Sequence, residues 1–562
     1  MKWQRSYKPL LSVLVLAVVL LGLTSVAFAQ SGAPVDPIVV LSNTQAEDPI
    51  EFETTRLLVE NMRQLGLQVE HKAVPWAQYS DTVWFNRLET PEAEGGTGWQ
   101  MTAWRMVARP ERMDPDEFVF NLFHSSTAES GYNFVGYINP AYDALAEAQR
   151  GETNQDARRE EIFQAQELIA NDVPYIYVAH PSLPQLVRTD IWDPESIVDA
   201  QGIGIQNFWT WTGMTPLGDQ KTIITNTGDD LISINPLYIA GDAPSRITEL
   251  VWDRLMRIGA DGLAQPWAAE SVEWEDETNV IIKLRSGMMW HDGEPVTVDD
   301  VKFSFEVPNS GESPMYAPFT RRITNIEILD DSTLRFTLNE PWVAFEVASL
   351  AKVNLIPKHI WEPLITDLMT KEDNAEGLTI DQAPAIGSGP FKFVDWKEGE
   401  TAILEANKEH FSPPKADGWV IKILPNQESA LGQIQTGELN FLREWEGDSQ
   451  VLQEVADADP NITLYASPDL GFRFFAFNLR FPPFDNVALR QAVAHVMPKD
   501  SIVKNIFKGF AVPADSYVSK AIDYWHDPNL PQYNFSIDEG RQVLTDAGFT
   551  WDAEGMLHYP AQ

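Results

Sequence analysis

Apolar residues recur in this chain in two rhythms, and the rhythms take turns. The run Ile38-Val39-Val40-Leu41, between Pro37 and Ser42, has the length of a buried strand. Leu58, Met62 and Leu65 then follow at helical spacing, and Gly66 stands where that helix would stop. Leu67 and Val69 alternate with polar neighbours, which predicts a second strand. Strand, helix and strand in so short a stretch form a βαβ unit with a right-handed crossover. Arg158 to Ala170 carries Ile162, Ala165 and Ile169 on one helical face, and Val173 to Val178 reads as a strand after it. Thr212 to Lys221 is a linker by composition, and Thr222-Ile223-Ile224-Thr225 restarts a strand. Val280 to Leu284 and Thr333 to Leu338 are further strands. Val487 to Val496 and Ile537 to Ala547 are helices, the latter closed by Gly548. The alternation predicts an α/β chain, with no solenoid-period repeat and no low-complexity run.

Composition narrows the picture. The chain has 562 residues, 44% hydrophobic and 22% charged, so it can bury large cores. Its 82 acids against 41 basic residues give a formal charge of −41, which argues against nucleic acid as partner, since phosphate binding needs clustered Lys and Arg. There is no cysteine, hence no disulfide, thiolate metal site, cysteine nucleophile or acylated cysteine anchor. Residues 1–29 read as a secretory leader. Lys2, Arg5 and Lys8 precede the apolar Leu10 to Leu23, and Ala27-Phe28-Ala29 supplies the small residues of a cleavage site. The competing reading is an uncleaved anchor, since the uncharged stretch from Pro9 to Ala29 has a spanning length. Either places the body of the protein outside the cytoplasm, periplasmic or otherwise extracytoplasmic.

Catalytic patterns are missing. There is no phosphate loop and no G-x-G-x-x-G: Gly202-Ile203-Gly204 lacks its third glycine. Ser388, between Gly387 and Gly389, lacks the spacing of a nucleophile elbow. The nine histidines form no H-x-x-x-H or H-x-H pair, so no metal or cofactor is expected. His291-Asp292 is followed by Gly293 and Pro295 and reads as a turn, and Asp299-Asp300 and Asp330-Asp331 read as solvated turns rather than dyads.

One stretch is specific. Val280-Ile-Ile-Lys-Leu-Arg-Ser-Gly-Met-Met-Trp-His-Asp-Gly-Glu-Pro-Val-Thr-Val-Asp-Asp-Val-Lys-Phe-Ser-Phe305 resembles the signature of family-5 extracytoplasmic solute-binding proteins, the oligopeptide-, dipeptide- and nickel-binding components of ABC importers. Gly287 and Gly293 permit tight turns, Pro295 fixes one, and Thr297 offers a cap to the helix carrying Val301, Phe303 and Phe305. Ile386-Gly-Ser-Gly-Pro-Phe-Lys-Phe393, Gln435-Thr-Gly-Glu-Leu-Asn440 and Phe477-Asn-Leu-Arg-Phe-Pro-Pro-Phe-Asp-Asn-Val-Ala-Leu-Arg-Gln-Ala-Val493 are similar to further family segments. Two features depart: Asn440 stands where the family segment usually ends in Asp, and Val496-Met-Pro-Lys-Asp500 replaces the Ala-Ile-Asp-Arg of many relatives. The resemblance implies a large two-lobe periplasmic-binding-protein fold of type II, with a hinge.

The order of the segments is rotated against the family. Elements resembling the family's final third come first: Ile38 to Ser42, Thr54 to Gly66, Gly98 to Asp116, Tyr137 to Asp143 and Asp172 to Tyr177. Phe208-Trp-Thr-Trp211 resembles a family C-terminus, Thr222 a family N-terminus, and Asp552 to Gln562 ends in mid-hairpin, where Gly32 to Ile38 would continue it. We therefore expect a circular permutant, with residues 30–184 as the second part of lobe II and 185–217 as the end of lobe I and a linker. Residues 218–470 would form the main part of lobe I, and 471–562 the crossover and first part of lobe II. The rival is a fusion of fragments, each needing a complementary chain.

The resemblance also implies a cleft between the lobes and candidates to line it: Trp104, Arg105, Val107, Arg109, Tyr132, Asn133, Trp445, Phe472 and Arg473. Peptide-binding relatives carry an amine-receiving Asp three residues after the Trp matched by Trp104, and this chain has Val107 there. A buried ammonium without a carboxylate is costly, so a free peptide amine is not expected in that position, and Arg105 and Arg109 would suit an anion instead. The implied function is a non-enzymatic, monomeric receptor that delivers a peptide-like or other multi-unit solute, or an oligosaccharide, to an ABC transporter permease. A secreted hydrolase would need a nucleophile or dyad that the sequence does not offer.

Overall fold

A computed structural model describes residues 32–561, apart from 92–94, 108–109, 130, 229, 232, 239–241, 312, 314, 371–377, 379–383 and 446. The leader at 1–29 and Arg109 lie outside the described residues. A single twelve-stranded sheet runs through the molecule. Five of its strands are β1 (Ile38–Asn43), β2 (Val69–Val74), β3 (Met101–Met106), β4 (Tyr175–Arg188) and β5 (Thr222–Thr227). Across the sheet the order is Phe391–Lys397, Thr401–Ala406, Gly418–Ile423, β5, Phe441–Leu442, β4, Phe472–Phe477, β3, β1, β2. The expected βαβ unit is present: β1 and β2 are parallel and joined by the helix Pro49–Gln64, capped by Asp48.

β4 divides the molecule. Its first half, Tyr175 to Ala179, pairs with Phe472–Phe477, while its second half, Ser182 to Arg188, pairs with Ile462–Pro468. Among the described residues the change of partner falls near residue 181 on β4 and near residue 469 on the neighbouring antiparallel segments, and these are the two passages between the halves of the sheet. Asp469 N donates to Pro181 O (2.9 Å) and the His180 Nδ1 lies 2.9 Å from Gly471 O, so the two passages are tied together.

Each lobe has its own core. Lobe I gathers Trp192, Trp211, Trp252, Trp290, Trp361 and Trp419, all fully buried, between the sheet and the helices after β5. In lobe II the strands are buried on both faces, as near-continuous apolar strands require. Phe472, Phe474 and Tyr175 face one layer, while Phe475, Phe477 and Ile176 face the other, in strict alternation. The signature motif is built as its residues suggest: Thr297 and Asp300 form a capping box on the helix Val298–Glu306. Asp300 is thus buried in a cap, not solvated. A Cβ on Gly387 would fall 1.8 Å from Val251 O, which explains the glycine there.

The two ends of the described chain meet. Residues Thr550–Trp551 and Leu557–His558 form a hairpin, and the start of the chain joins it: Val35 N donates to Leu557 O (2.8 Å) and Tyr559 N to Ala33 O (2.9 Å).

Candidate functional site

A cavity of about 340 Å³ opens where the lobes face each other beside the passages between them. Lobe II contributes Val107, just after β3. The passages contribute Leu183, Asp469 and Leu470. Lobe I contributes Gly202, Ile203 and Phe208 together with Arg246, Glu249, Arg254 and Arg257. The walls therefore differ in kind: one is largely apolar, the other carries guanidinium groups. Burial pushes the Asp469 carboxyl up to about 6. Burial, helped by the Arg254 charge, pulls the Arg257 guanidinium down to about 9.

The residues expected from sequence scatter around this cavity. Val107 lines it and is half exposed. Trp104, on β3, does not line it and belongs to an aromatic shelf, its ring stacked on Tyr79 (5.1 Å) and Trp84 (6.3 Å), with Trp76 at 5.5 Å. Tyr132 meets Trp84 edge-on at 5.3 Å and extends that shelf to the surface. Arg105 and Arg473 are register partners on neighbouring strands, and both turn to Asp48, at 3.5 and 2.7 Å. That carboxylate also caps the helix Pro49–Gln64, so the two arginines are held by a structural partner.

Three expectations have a different physical outcome. Asn133 is fully buried; its amide donates to Phe123 O, His124 O and Tyr137 O, and its carbonyl accepts from Tyr137 N, which leaves it holding a loop. Phe472 is a core ring packed on Phe118, Tyr177 and Phe474. Trp445 is half-buried against a separate apolar cluster, donates to Asp448 O (3.2 Å) and is not among the residues that line the cavity. Sequence reasoning set Gly202-Ile203 aside as a broken glycine motif. Gly202 has φ +70° and a Cβ there would strike Leu470, so glycine serves close packing at the cavity wall. The three arginines carried no signal, because only folding brings positions 246, 254 and 257 to one wall.

Separate core clusters lie to either side of the paired passages, and the cavity opens beside those passages. The family model described as bacterial extracellular solute-binding proteins, family 5 Middle, matches residues 264–561, and the chain belongs to that family. It is similar to the oligopeptide-binding protein AppA of Bacillus subtilis, 27% identical over 331 residues that cover 58% of this chain and 59% of the relative. It is also similar to heme-binding protein A of Haemophilus influenzae, 27% identical over 357 residues covering 58% and 62%. The chain thus spans about three-fifths of the length of these relatives. A structure of the ABC transporter substrate-binding protein CtaP of Listeria monocytogenes aligns with 59% of this chain and 66% of its own, at 25% identity and a TM-score of 0.47. Among the described residues no helix is long and apolar enough to cross a membrane, and no three His, Cys, Asp or Glu side chains gather to hold a metal ion.

Proposed function

We propose that this protein is an extracytoplasmic receptor, not an enzyme, that encloses a multi-unit small solute between its lobes and delivers it to an ABC transporter permease. The observation that carries this reading is the interlobe cavity, lined from both lobes and placed at the paired passages, where a hinge motion would open and close it. The names of the relatives, among them oligopeptide- and glutathione-binding proteins, support a peptide-like ligand. A second reading, an oligosaccharide ligand, is favoured by the shelf of Trp76, Trp84, Trp104 and Tyr132, whose faces suit sugar rings. Titration with N-acetylated peptides and with malto-oligosaccharides, followed by small-angle scattering, tests it. A bound solute should shrink the radius of gyration as the lobes close; binding without any change in shape would count against the hinge.

The rotated order is part of this proposal. Contacts of Ala33 and Val35 with Leu557 and Tyr559 support a circular permutation, since they make the hairpin continuous across the chain ends. A chain that starts at Thr222 and joins position 561 to position 32 should fold with the same melting temperature to within a few degrees. Failure of that chain to fold would favour a fusion of fragments.

A further inference from the structure

We propose that Asp469 is a cation subsite of the interlobe cavity, whose carboxylate receives an ammonium group of the bound solute. The inference rests on the receptor reading above and names a chemical feature of its ligand. Asp469 lines the cavity at one of the two passages between the halves of the sheet. One of its carboxylate oxygens accepts a hydrogen bond from Gly471 N (2.8 Å). The other accepts none among the described residues and is not sealed from solvent. No charged group of the described residues acts on this carboxylate. Burial opposes its charge and only the Gly471 N–H favours it, which leaves the carboxyl raised to about 6.

The guanidinium groups that share the cavity are engaged elsewhere. Arg246, Arg254 and Arg257 stand 3.9, 3.9 and 3.7 Å from Glu249, and the Asp253 charge also acts on Arg257. Arg254 further donates to Asn354 Oδ1 (3.0 Å) and Ala351 O (3.1 Å). That wall carries anions of its own, and Asp469 stays uncompensated. The subsite is also built before any ligand arrives. Asp469 N donates to Pro181 O (2.9 Å), its carbonyl accepts from Ser519 Oγ (3.0 Å), and Leu470 N donates to Gly202 O (3.1 Å). Three separate segments hold this backbone, and the Gly471 bond sets the side chain. Val107, Leu183 and Leu470 line the cavity as well and offer no counter-charge. A carboxylate drawn out of water without a partner is costly. An ammonium placed against it supplies that partner through a charge-assisted hydrogen bond, stronger than any a neutral solute can donate.

The test uses the full chain and matched probes. Each peptide of two to five residues contains one lysine and is prepared in three forms: both amines acetylated, only the side-chain amine free, and only the terminal amine free. Malto-oligosaccharides are compared with derivatives in which one primary hydroxyl is replaced by an amine. Calorimetry at pH 7 should show at least one amine-bearing form binding ten-fold or more tighter than its neutral counterpart, and the form that gains identifies the source of the ammonium. In Asp469→Asn, which keeps an acceptor for Gly471 N, that preference should fall below three-fold while the neutral forms bind as before. Because burial works against the charge, this variant should melt no lower than the parent. Asp469→Ser repeats the measurement with a smaller uncharged side chain. Equal binding of charged and neutral forms to the parent overturns the cation subsite while the receptor reading stands. A preference that persists unchanged in the folded variants overturns the assignment to Asp469, and loss of the fold in both variants overturns the reading of an uncompensated charge. Binding of no probe in any form removes the receptor reading and the subsite with it.

Discussion

Asp48 is the position at which structure and ligand contact are easiest to confuse. Its carboxylate caps the helix Pro49–Gln64 through Glu51 N (3.0 Å) and accepts from Arg473 Nη1 (2.7 Å), while Arg105 stands at 3.5 Å. Asp48→Ala removes both interactions. Loss of an N-cap costs about 1 kcal/mol. Loss of a charge-assisted hydrogen bond at a largely buried carboxylate costs about 1.5–3 kcal/mol. Arg105 is 59% exposed and is not counted, since exposed pairs contribute little. The expected total is about 2.5–4 kcal/mol. Asp48→Asn keeps an acceptor for the cap and loses only the charge, so it should cost about half as much. Urea unfolding of both variants, combined with Arg473→Met in a double-mutant cycle, measures the coupling directly. An Asp48→Asn variant as stable as the parent, with zero coupling to Arg473, would refute the assignment of these arginines to a structural pair.

Other consequences can be checked in the same way. Arg158, almost fully buried, holds Asp114 with two hydrogen bonds of 2.6 and 2.7 Å, so Arg158→Ala should destabilise the protein by about 3–5 kcal/mol through the stranded carboxylate; urea denaturation reads the loss. Thr297→Ala breaks the capping box of Val298–Glu306 and should cost about 1 kcal/mol by the same method, with solute binding unchanged. His180 is fully buried beside the passage at Gly471, and burial pulls its pKa from 6.5 to about 4. Between those values the unfolded chain binds the proton and the folded chain does not, so stability falls as pH drops from 6.5 to 4. Replacing His180 by Asn should remove one proton's worth of that slope, and an unchanged slope would contradict the burial argument.

Much of the architecture was legible because it rests on local rules. The continuous apolar run at Ile38, the helical spacing of Leu58, Met62 and Leu65, and the cap at Thr297 all gave elements where their physics demands them. β4 was only half seen: the sequence suggested a strand from Val173 to Val178, but it continues to Arg188 through two prolines. Its second half is fixed by pairing with Ile462–Pro468, a partner far away in sequence. The site was less legible for the same reason. Val107 lies on the cavity wall, while Phe472 packs in the core and Asn133 holds a loop, because a strand residue's face depends on register and a loop residue's partners on closure. Arg246, Arg254 and Arg257 are close in sequence but sit on a helix, a turn and a strand, so no single periodicity puts their side chains on one wall.

A native mass spectrum of the gently purified, unrefolded chain, taken before and after incubation with N-acetylated peptides and malto-oligosaccharides, shows whether this chain alone encloses a solute. A single folded chain is expected to carry one small solute, released on denaturation and displaced by a peptide or oligosaccharide probe. A second polypeptide in stoichiometric complex, or a folded chain whose mass no solute changes, would contradict it.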